Sequence, residues 1–338
     1  MQTEDIVYQH FHYNYVWMRF FLNICSALPL LTGTALGWGC EGHQAIGLIA
    51  RAHLTPGASA AVDKLLRENP LDPNQKRYCQ DRPADPMGDG ASWADDMKSI
   101  DKTFTWHFVD IPLSVNRSDV PRPDISMWCE AIGPSVGGKD RPGCLTTAID
   151  YEWGILRDQS QAGPERAKAL RYLIHLLGDL TQPLHDSDNH DQGGNCTRMV
   201  FFGQEKPENL HAIWDDRMIA RYMAMHKATQ RKFAAGLDRE FAENWHRWGE
   251  AKTDISGWAW EGHELAAAVT YGKLKPPIPV ADPSIGQADK AACTVERARI
   301  EEMHISIGEE YFNEALPVIR RQLAKAGYRL AGLLNQGF

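Results

Sequence analysis

The sequence predicts an all-α fold, a single-domain helical bundle with long loops and a small β-hairpin. Apolar residues recur at helical spacing almost throughout the chain, and strand-forming residues cluster mainly at 197–202. Loops rich in Pro and Gly over 70–90, 111–143 and 273–290 separate helices without marking a domain boundary. The 338 residues are 43% hydrophobic and 24% charged, which is enough apolar material for one sizeable core.

The predicted helices follow one another along the chain. Their apolar spacing places them near 42–54, 57–68, 91–100, 145–159, 164–181, 208–225, 228–250, 257–269 and 296–335. Thr55 and Pro56 form a favourable helix start, because a capping residue precedes a proline in the first turn. Pro317 lies inside the last helix and is expected to kink it. Outside the helices, Thr197–Phe202 predicts a hairpin strand and Trp106–Ile111 predicts an extended segment.

Residues 1–37 resemble a leader or signal peptide, and we expect translation to begin at Met18. A basic start is followed by an apolar stretch over 20–36, and a small-residue cleavage signal ends at Gly37. The stretch is too short and too interrupted for a good transmembrane helix, although a membrane anchor or a disordered tail is the alternative interpretation. Cleavage after Gly37 would leave an exported domain, 38–338, that begins at Trp38, is periplasmic or secreted, and has no membrane anchor.

Cysteine usage agrees with export. Six cysteines follow the leader, which permits three disulfides that tie the long loops: Cys40, Cys79, Cys129, Cys144, Cys196 and Cys293. Cys129 and Cys144 are close enough in sequence to close one loop, and the other pairings stay open. The scattered spacing is not that of a zinc ribbon, and reduced, buried thiols are the alternative interpretation.

The formal charge of −8 excludes a generally basic surface for a polyanionic partner, so bound metal or local cations would have to supply positive charge.

Two predicted helices each carry a histidine followed four residues later by an aspartate: His175 with Asp179, and His211 with Asp215. This spacing places both side chains on one helix face, about 5–6 Å apart at Cβ, which suits a shared zinc ion. A single pair of this kind is more often structural, but two pairs with His185 between them are stronger evidence.

Further candidate ligands lie upstream. Asp95 ends a Trp-Ala-Asp motif on a predicted helix, and His107 lies in the extended segment. His43 lies five residues after Trp38. The α-amine of a mature terminus at Trp38 can also bind zinc, because a pKa of about 7.7–8.0 makes its deprotonation easy near neutral pH.

Taken in order, these motifs resemble the S1/P1 nuclease family over about residues 38–270. The pattern is Trp at the mature terminus, a close His, WAD, HFxD, HxxxD, PLH, a GGN loop and HxxxD. The resemblance implies a helical bundle around three zinc ions that cleaves single-stranded DNA and RNA to 5′-mononucleotides, with 3′-nucleotidase activity on 3′-mononucleotides. A monomer is expected.

The resemblance also implies a ligand set. The first zinc would take Asp95, His107, His175 and Asp179. The second would take His185, His211 and Asp215. The third would take the Trp38 amine and carbonyl, His43 and Asp179, so that Asp179 bridges two ions. A zinc-activated water would then attack phosphorus.

The same resemblance assigns contacts to the substrate. Asp95 would orient the attacking water, and Lys98, one turn later, would contact phosphate as a point charge; a solvated surface lysine is the alternative. Phe108 would stack on a base, or else belong to the core. Asp110 and Asn195 would bond the base edge, although Gln192 stands where relatives often have an apolar residue, which leaves the pocket shape open.

Two other functions fit part of the pattern. Zinc-dependent phospholipase C has the same helical fold and a terminal Trp ligand, but the final pair here ends in Asp215, and Phe108 with the GGN loop fits a base pocket. A non-catalytic zinc-binding exported protein would fill all four positions of a zinc ion with protein atoms, whereas three ions sharing these few ligands would keep open positions.

Overall fold

The computed structural model describes residues 37–120, 125–129, 142–282 and 303–338. The segment Thr34–Phe338 forms one compact unit. The predicted leader, apart from Gly37, and Cys293 lie outside the described residues, and so does the predicted start of the last helix at 296–302.

The fold is mainly helical, as predicted. The α-helices are α1 (Cys40–Ala52), α2 (Pro56–Glu68), α3 (Pro86–Gly90), α4 (Trp93–Met97), α5 (Leu145–Arg157), α6 (Gly163–Asp179), α7 (Leu210–Ala212), α8 (Met218–His226), α9 (Gln230–Phe241), α10 (Trp245–Trp248), α11 (Ile255–Leu265) and α12 (Glu309–Gly337). Widened π-type turns at Ile213–Arg217 and Ala266–Thr270 follow α7 and α11. Short 3-10 turns lie at Phe104–His107, Arg117–Asp119, Ile125–Trp128, Pro183–His185 and Ala242–Asn244.

Three predicted boundaries differ from the structure. Only Trp93–Met97 (α4) is helical within the range expected at 91–100, and the helix expected at 228–250 is broken between α9 and α10. The last helix begins only at Glu309, because Ser306–Ile307 is a strand. The prediction that Trp106–Ile111 is extended is wrong for Trp106 and His107, which lie in a 3-10 turn with the Trp106 N–H donating to the Thr103 carbonyl at 2.9 Å. The cap at Thr55 is present, since its hydroxyl accepts from the Ala58 N–H at 3.2 Å.

The described residues also contain a small three-stranded sheet. Strand β1 (Arg198–Phe201) pairs antiparallel with β2 (Glu208–Asn209), which confirms the predicted hairpin. Strand β3 (Ser306–Ile307) adds to the other edge of β1 in parallel, so the strand order is β2-β1-β3. The prediction missed β3, because two residues carry no strand pattern of their own.

Helix α6 lies at the centre of the core. It is buried on all sides from Ala169 to Asp179, which is typical of a helix enclosed by other elements. Helix α5 packs along one side, while α1 and α12 pack on others. Burying each large apolar side chain in this region contributes about 1.5–3 kcal/mol, so the packing holds the carboxyl end of α6 firmly in place.

Disulfides tie the loops to the helices. Cys40 at the start of α1 is bonded to Cys79, and Cys129 is bonded to Cys144, as its short sequence separation predicted. Cys196 is also disulfide-bonded. None of the helices within the described ranges has the length and apolar character needed to span a bilayer.

Candidate metal centre

The nine predicted ligands converge on one buried region at the end of α6. Helix α6 carries His175 and Asp179, and the chain turns back immediately after it. Their partners come from α1, α4, two 3-10 turns and the segment around α7. All nine residues are less than a tenth exposed: Trp38, His43, Asp95, His107, His175, Asp179, His185, His211 and Asp215. Packing therefore brings together residues that are as many as 177 positions apart in the sequence.

A first group surrounds one oxygen of Asp179. Its Oδ2 lies 3.0 Å from Nδ1 of His107 and 3.2 Å from Nε2 of His175. Asp95 faces the same two rings, with its carboxylate oxygens 3.8 Å from Nδ1 of His107 and 3.7 Å from Nε2 of His175. These distances bring the four ligands predicted for the first zinc together.

A second group lies beside the first. Nε2 of His211 is 3.1 Å from Oδ2 of Asp215 and 3.0 Å from Nε2 of His185. His211 and Asp215 keep their predicted contact although a widened turn begins between them. Turns of this π type are frequent at functional sites.

The third group contains the other oxygen of Asp179. Its Oδ1 lies 3.3 Å from Nε2 of His43. Gly37 lies against this pair: a Cβ built on it would be 1.7 Å from that oxygen and 2.8 Å from Nε2 of His43. Trp38 is fixed next to it, with its indole N–H donating to the Thr181 hydroxyl at 3.1 Å. The main chain at residues 37 and 38 therefore runs directly past the Asp179–His43 pair.

Backbone carbonyls fix the tautomers of three of the histidines. Nδ1–H of His175 donates to the Ala91 carbonyl at 2.8 Å, and Nδ1–H of His211 donates to the Gly193 carbonyl at 2.6 Å. His185 makes the same bond to the carbonyl of His107. A carbonyl can only accept, so each neutral ring carries its lone pair on Nε2, which points into the site. Metal-binding histidines are held in this way.

The surroundings shift the pKa values of these groups in opposite directions. Burial opposes charge on His175, but Asp179 and Asp95 outweigh it and raise its pKa to about 9. Burial lowers the pKa of His185 to about 3. Burial also raises the pKa of Asp215 to about 7 against the pull of His211. For Asp179, the neighbouring histidines overcome burial and hold its pKa well below its ordinary value.

The arrangement fits bound cations better than it fits protons alone. When both rings are neutral, their hydrogen bonds to main-chain carbonyls leave lone pairs on Nε2 of His185 and Nε2 of His211, yet these atoms lie 3.0 Å apart. Both ring nitrogens of His43, Nε2 of His107 and Oδ1 of Asp179 are buried without a hydrogen-bond partner. Buried polar atoms are nearly always satisfied, and nitrogen and oxygen donors of this kind are metal ligands. Three sets of ligand atoms lie within 4.8 Å of one another: His43 with Asp95 and His175, His107 with His175 and Asp179, and His185 with His211 and Asp215.

Gln182 is a positioning residue that the sequence did not single out. Its side-chain Nε2–H donates to Oδ1 of Asp215 at 2.5 Å, and its Oε1 accepts the N–H of Leu184 at 2.7 Å. The side chain is fully buried. It therefore connects the Pro183–His185 turn to the carboxylate that faces His211. Its place directly before the Pro-Leu-His motif was the available signal.

For two of the predicted substrate residues, the structure excludes the alternative interpretation. Lys98 is buried, not a solvated surface lysine, and its Nζ lies 3.2 Å from Oδ1 of Asp95. Phe108 is half-buried and not part of the closed core. Asp110 and Asn195 are also half-buried, and Nδ2–H of Asn195 donates to the Gln192 carbonyl at 2.8 Å.

The GGN loop is held by a buried carboxylate. Asp191 accepts from the Gly194 N–H at 2.9 Å, from the Thr197 hydroxyl at 2.5 Å and from the Tyr271 hydroxyl at 2.9 Å. Gly193 has φ +58°, and a Cβ there would lie 2.5 Å from the Leu184 carbonyl, so only glycine fits this close approach. The loop is thus fixed against the Pro-Leu-His turn.

Fold and site together define a mainly helical protein with a buried histidine–aspartate centre that is able to bind metal ions. A sequence model of the family described as S1/P1 nuclease matches residues 38–338. The chain belongs to the S1/P1 nuclease family and is therefore a nuclease, a hydrolase that acts on the phosphoester bonds of nucleic acids.

Individual relatives align with this chain along nearly their full lengths. Endonuclease 3 of Arabidopsis thaliana is 29% identical over 334 residues, which cover 95% of this chain and 96% of the plant protein. Nuclease P1 of Penicillium citrinum is 27% identical, with 88% and 97% covered. Nuclease S1 of Aspergillus oryzae is 26% identical, with 93% and 96% covered. This family membership favours the nuclease over the phospholipase interpretation.

Proposed function

We propose that this protein is an exported zinc-dependent endonuclease that hydrolyses single-stranded DNA and RNA to 5′-mononucleotides, with 3′-nucleotidase activity. Three zinc ions are proposed, held by the ligand set that the sequence implied. Asp179 would serve two ions through its two oxygens, and Trp38 would bind through its freed amine and its carbonyl. The disulfides at Cys40–Cys79 and Cys129–Cys144 support export.

The observation that carries this proposal is the convergence of lone-pair nitrogens. His175, His185 and His211 each donate Nδ1–H to a main-chain carbonyl, so each directs Nε2 towards a carboxylate or another ring nitrogen. Without cations, facing lone pairs and unpartnered buried atoms would cost about 1–3 kcal/mol for each unsatisfied group. Zinc takes nitrogen and oxygen ligands and, in catalytic sites, keeps an open position.

The protein groups have separate tasks in the proposed reaction. Bound zinc would supply Lewis acidity towards the phosphate and the attacking water. Asp95 would orient that water, because its Oδ1 also contacts Nζ of Lys98 at 3.2 Å and the carboxylate is thereby held in one direction. Lys98 would add a point charge beside the phosphate. Gln182 would hold Asp215 in place.

A preference for single-stranded substrates would follow from the side chains of Phe108, Asp110 and Asn195. Phe108 offers a half-buried ring beside Asp110, and Asn195 lies on the GGN loop that Asp191 fixes. A base can stack on such a ring and present its edge to polar groups only when it is unpaired. Stacking of one base on an aromatic ring contributes about 1–3 kcal/mol.

The experiment is hydrolysis by the purified protein of single-stranded DNA, single-stranded RNA, duplex DNA, a 3′-mononucleotide and phosphatidylcholine. We expect turnover of the single strands and of the 3′-mononucleotide, loss with a chelator and recovery with zinc. Turnover of phosphatidylcholine alone would support the phospholipase interpretation instead. Chelator-resistant activity, or no hydrolysis after zinc is supplied, would overturn the proposal.

A further inference from the structure

We propose that Phe104 forms a second stacking face, next to Phe108, for the base of the neighbouring nucleotide in a single strand. This inference rests on the proposed nuclease function and adds a second nucleotide position to it. The ring of Phe104 is 52% exposed. Its centroid lies 5.9 Å from that of Phe108, and the two ring planes are inclined by 76°. We call these two rings the aromatic pair.

The aromatic pair is attached directly to the metal centre. Phe104 begins the short 3-10 turn that ends at His107, so its exposed ring and a buried candidate ligand share one rigid element. Trp106 anchors this turn, with its indole N–H donating to the Pro142 carbonyl at 3.0 Å and its ring packed edge-on against Tyr172 at 5.2 Å. A base held by Phe104 would therefore lie at a fixed distance from the reacting phosphate.

Positive charge beside Phe104 matches a nucleotide. Nζ of Lys98 lies 5.7 Å from the ring centroid of Phe104 and 3.2 Å from Asp95. Lys102 is exposed on the turn that leads to the ring. The chain as a whole carries a charge of −8, so an ammonium group close to an exposed ring is a distinct local feature. Strand-tracking sites in proteins combine cations with aromatic faces in this way.

The angle between the rings also indicates which nucleic acid fits. Bases that stack on two faces inclined by 76° cannot stay stacked on each other. Successive bases would have to turn apart, which an unpaired strand allows and a duplex does not. Isolated exposed apolar residues need no explanation. An exposed ring in edge contact with the predicted base-stacking residue, with Nζ of Lys98 5.7 Å from its centroid, does need one.

The test compares Phe104→Ala, Phe104→Trp and Ile100→Ala in the zinc-loaded protein. Ile100 is the matched control, since it is 68% exposed in the same part of the chain. Substrates are a single-stranded trinucleotide, the same trinucleotide with one abasic position at each place in turn, and a 3′-mononucleotide. We expect Phe104→Ala to lower kcat/KM on the intact trinucleotide about 5- to 150-fold, the range for one stacked base. The loss should appear in KM, because the contact does not depend on the transition state.

The remaining outcomes separate stacking from a structural role. Phe104→Trp should retain the wild-type KM, and Ile100→Ala should stay within about twofold of wild type. One abasic substrate should be cleaved equally by wild type and Phe104→Ala, because the base that Phe104 contacts is missing; the 3′-mononucleotide should show no difference. An unchanged KM for Phe104→Ala, or an equal loss on every substrate, would overturn the inference. Failure of the wild type to cleave any trinucleotide would instead contradict the proposed function.

Discussion

Oδ1 of Asp179 lies 3.3 Å from Nε2 of His43, and neither atom has a hydrogen-bond partner although both residues are fully buried. The other oxygen of Asp179 faces His107 and His175 at 3.0 and 3.2 Å. One carboxylate thus serves two separate groups of histidines. A buried, unpartnered pair of this kind is costly unless a cation completes it.

Asp179→Ala should therefore remove two metal ions, whereas Asp215→Ala should remove one. The first change takes away an oxygen from each of two groups, and the second affects only the group of His185 and His211. Both variants should lose activity by at least about 100-fold, because buried ligands cannot be replaced by a neighbour. Metal analysis by mass spectrometry checks the stoichiometry. Equal metal loss in the two variants would show that Asp179 does not bridge two ions.

Retaining Gly37 should weaken activity and metal binding at His43. A chain that begins at Trp38 presents a free amine beside Asp179, whereas an added residue places main-chain atoms there. Gly37→Ala in the form that keeps residue 37 should lower activity and metal binding further, because the alanine Cβ would lie 1.7 Å from Oδ1 of Asp179. Gly57→Ala is the control, since a Cβ there meets nothing within 4 Å. Identical rates and zinc contents for the forms that begin at 37 and at 38 would exclude Trp38 as a ligand.

Gln182→Ala should lower zinc affinity at the Asp215 group or activity by about 10- to 100-fold, the usual effect of losing a partner that orients a ligand. The reason is its 2.5 Å hydrogen bond to Asp215. Gln322→Ala is the matched control, because Gln322 is equally buried but donates to the Thr181 carbonyl at 3.2 Å. Zinc titration of chelator-treated protein measures the difference. A similar effect of both changes would show that lost packing, not orientation of Asp215, is responsible.

Glu152→Gln should stabilise the protein at pH 8 and have little effect at pH 4.5. Burial raises the pKa of Glu152 to about 8 from an ordinary value of 4.5. Between these values the folded state binds a proton that the unfolded state releases, so stability falls as pH rises, by about 1.4 kcal/mol per unit. Glutamine removes this slope. Urea unfolding at several pH values measures this slope, with the exposed Glu205→Gln as control. Parallel pH dependences for wild type and Glu152→Gln would refute the prediction.

The helical pattern predicted the local part of the site. His175 with Asp179 and His211 with Asp215 lie on one helical segment each, so their spacing alone fixed their proximity. Export signals and an even cysteine count likewise predicted the Cys129–Cys144 disulfide as a possible loop closure, and the structure contains it.

Contacts between distant segments could not be predicted from spacing. Gln182 meets Asp215 across 33 positions. The spacing of Lys98 and Asp95 predicts their proximity, but the burial of Lys98 depends on tertiary packing, in which α4 lies against α6. The third strand was missed for the same reason: Ser306–Ile307 becomes a strand only because β1 offers it an edge. Tertiary packing determines such contacts, and the sequence pattern of each short segment does not indicate them.

We propose that the nine converging residues hold three zinc ions in a protein that begins at Trp38. The most direct test of this proposal is anomalous diffraction at the zinc absorption edge from crystals of the mature protein, together with its N-terminal sequence. We expect three zinc peaks, one beside the Trp38 amine, with Asp179 shared between two of them. A mature terminus elsewhere, or the same side chains without zinc among them in zinc-supplied crystals, would contradict the account.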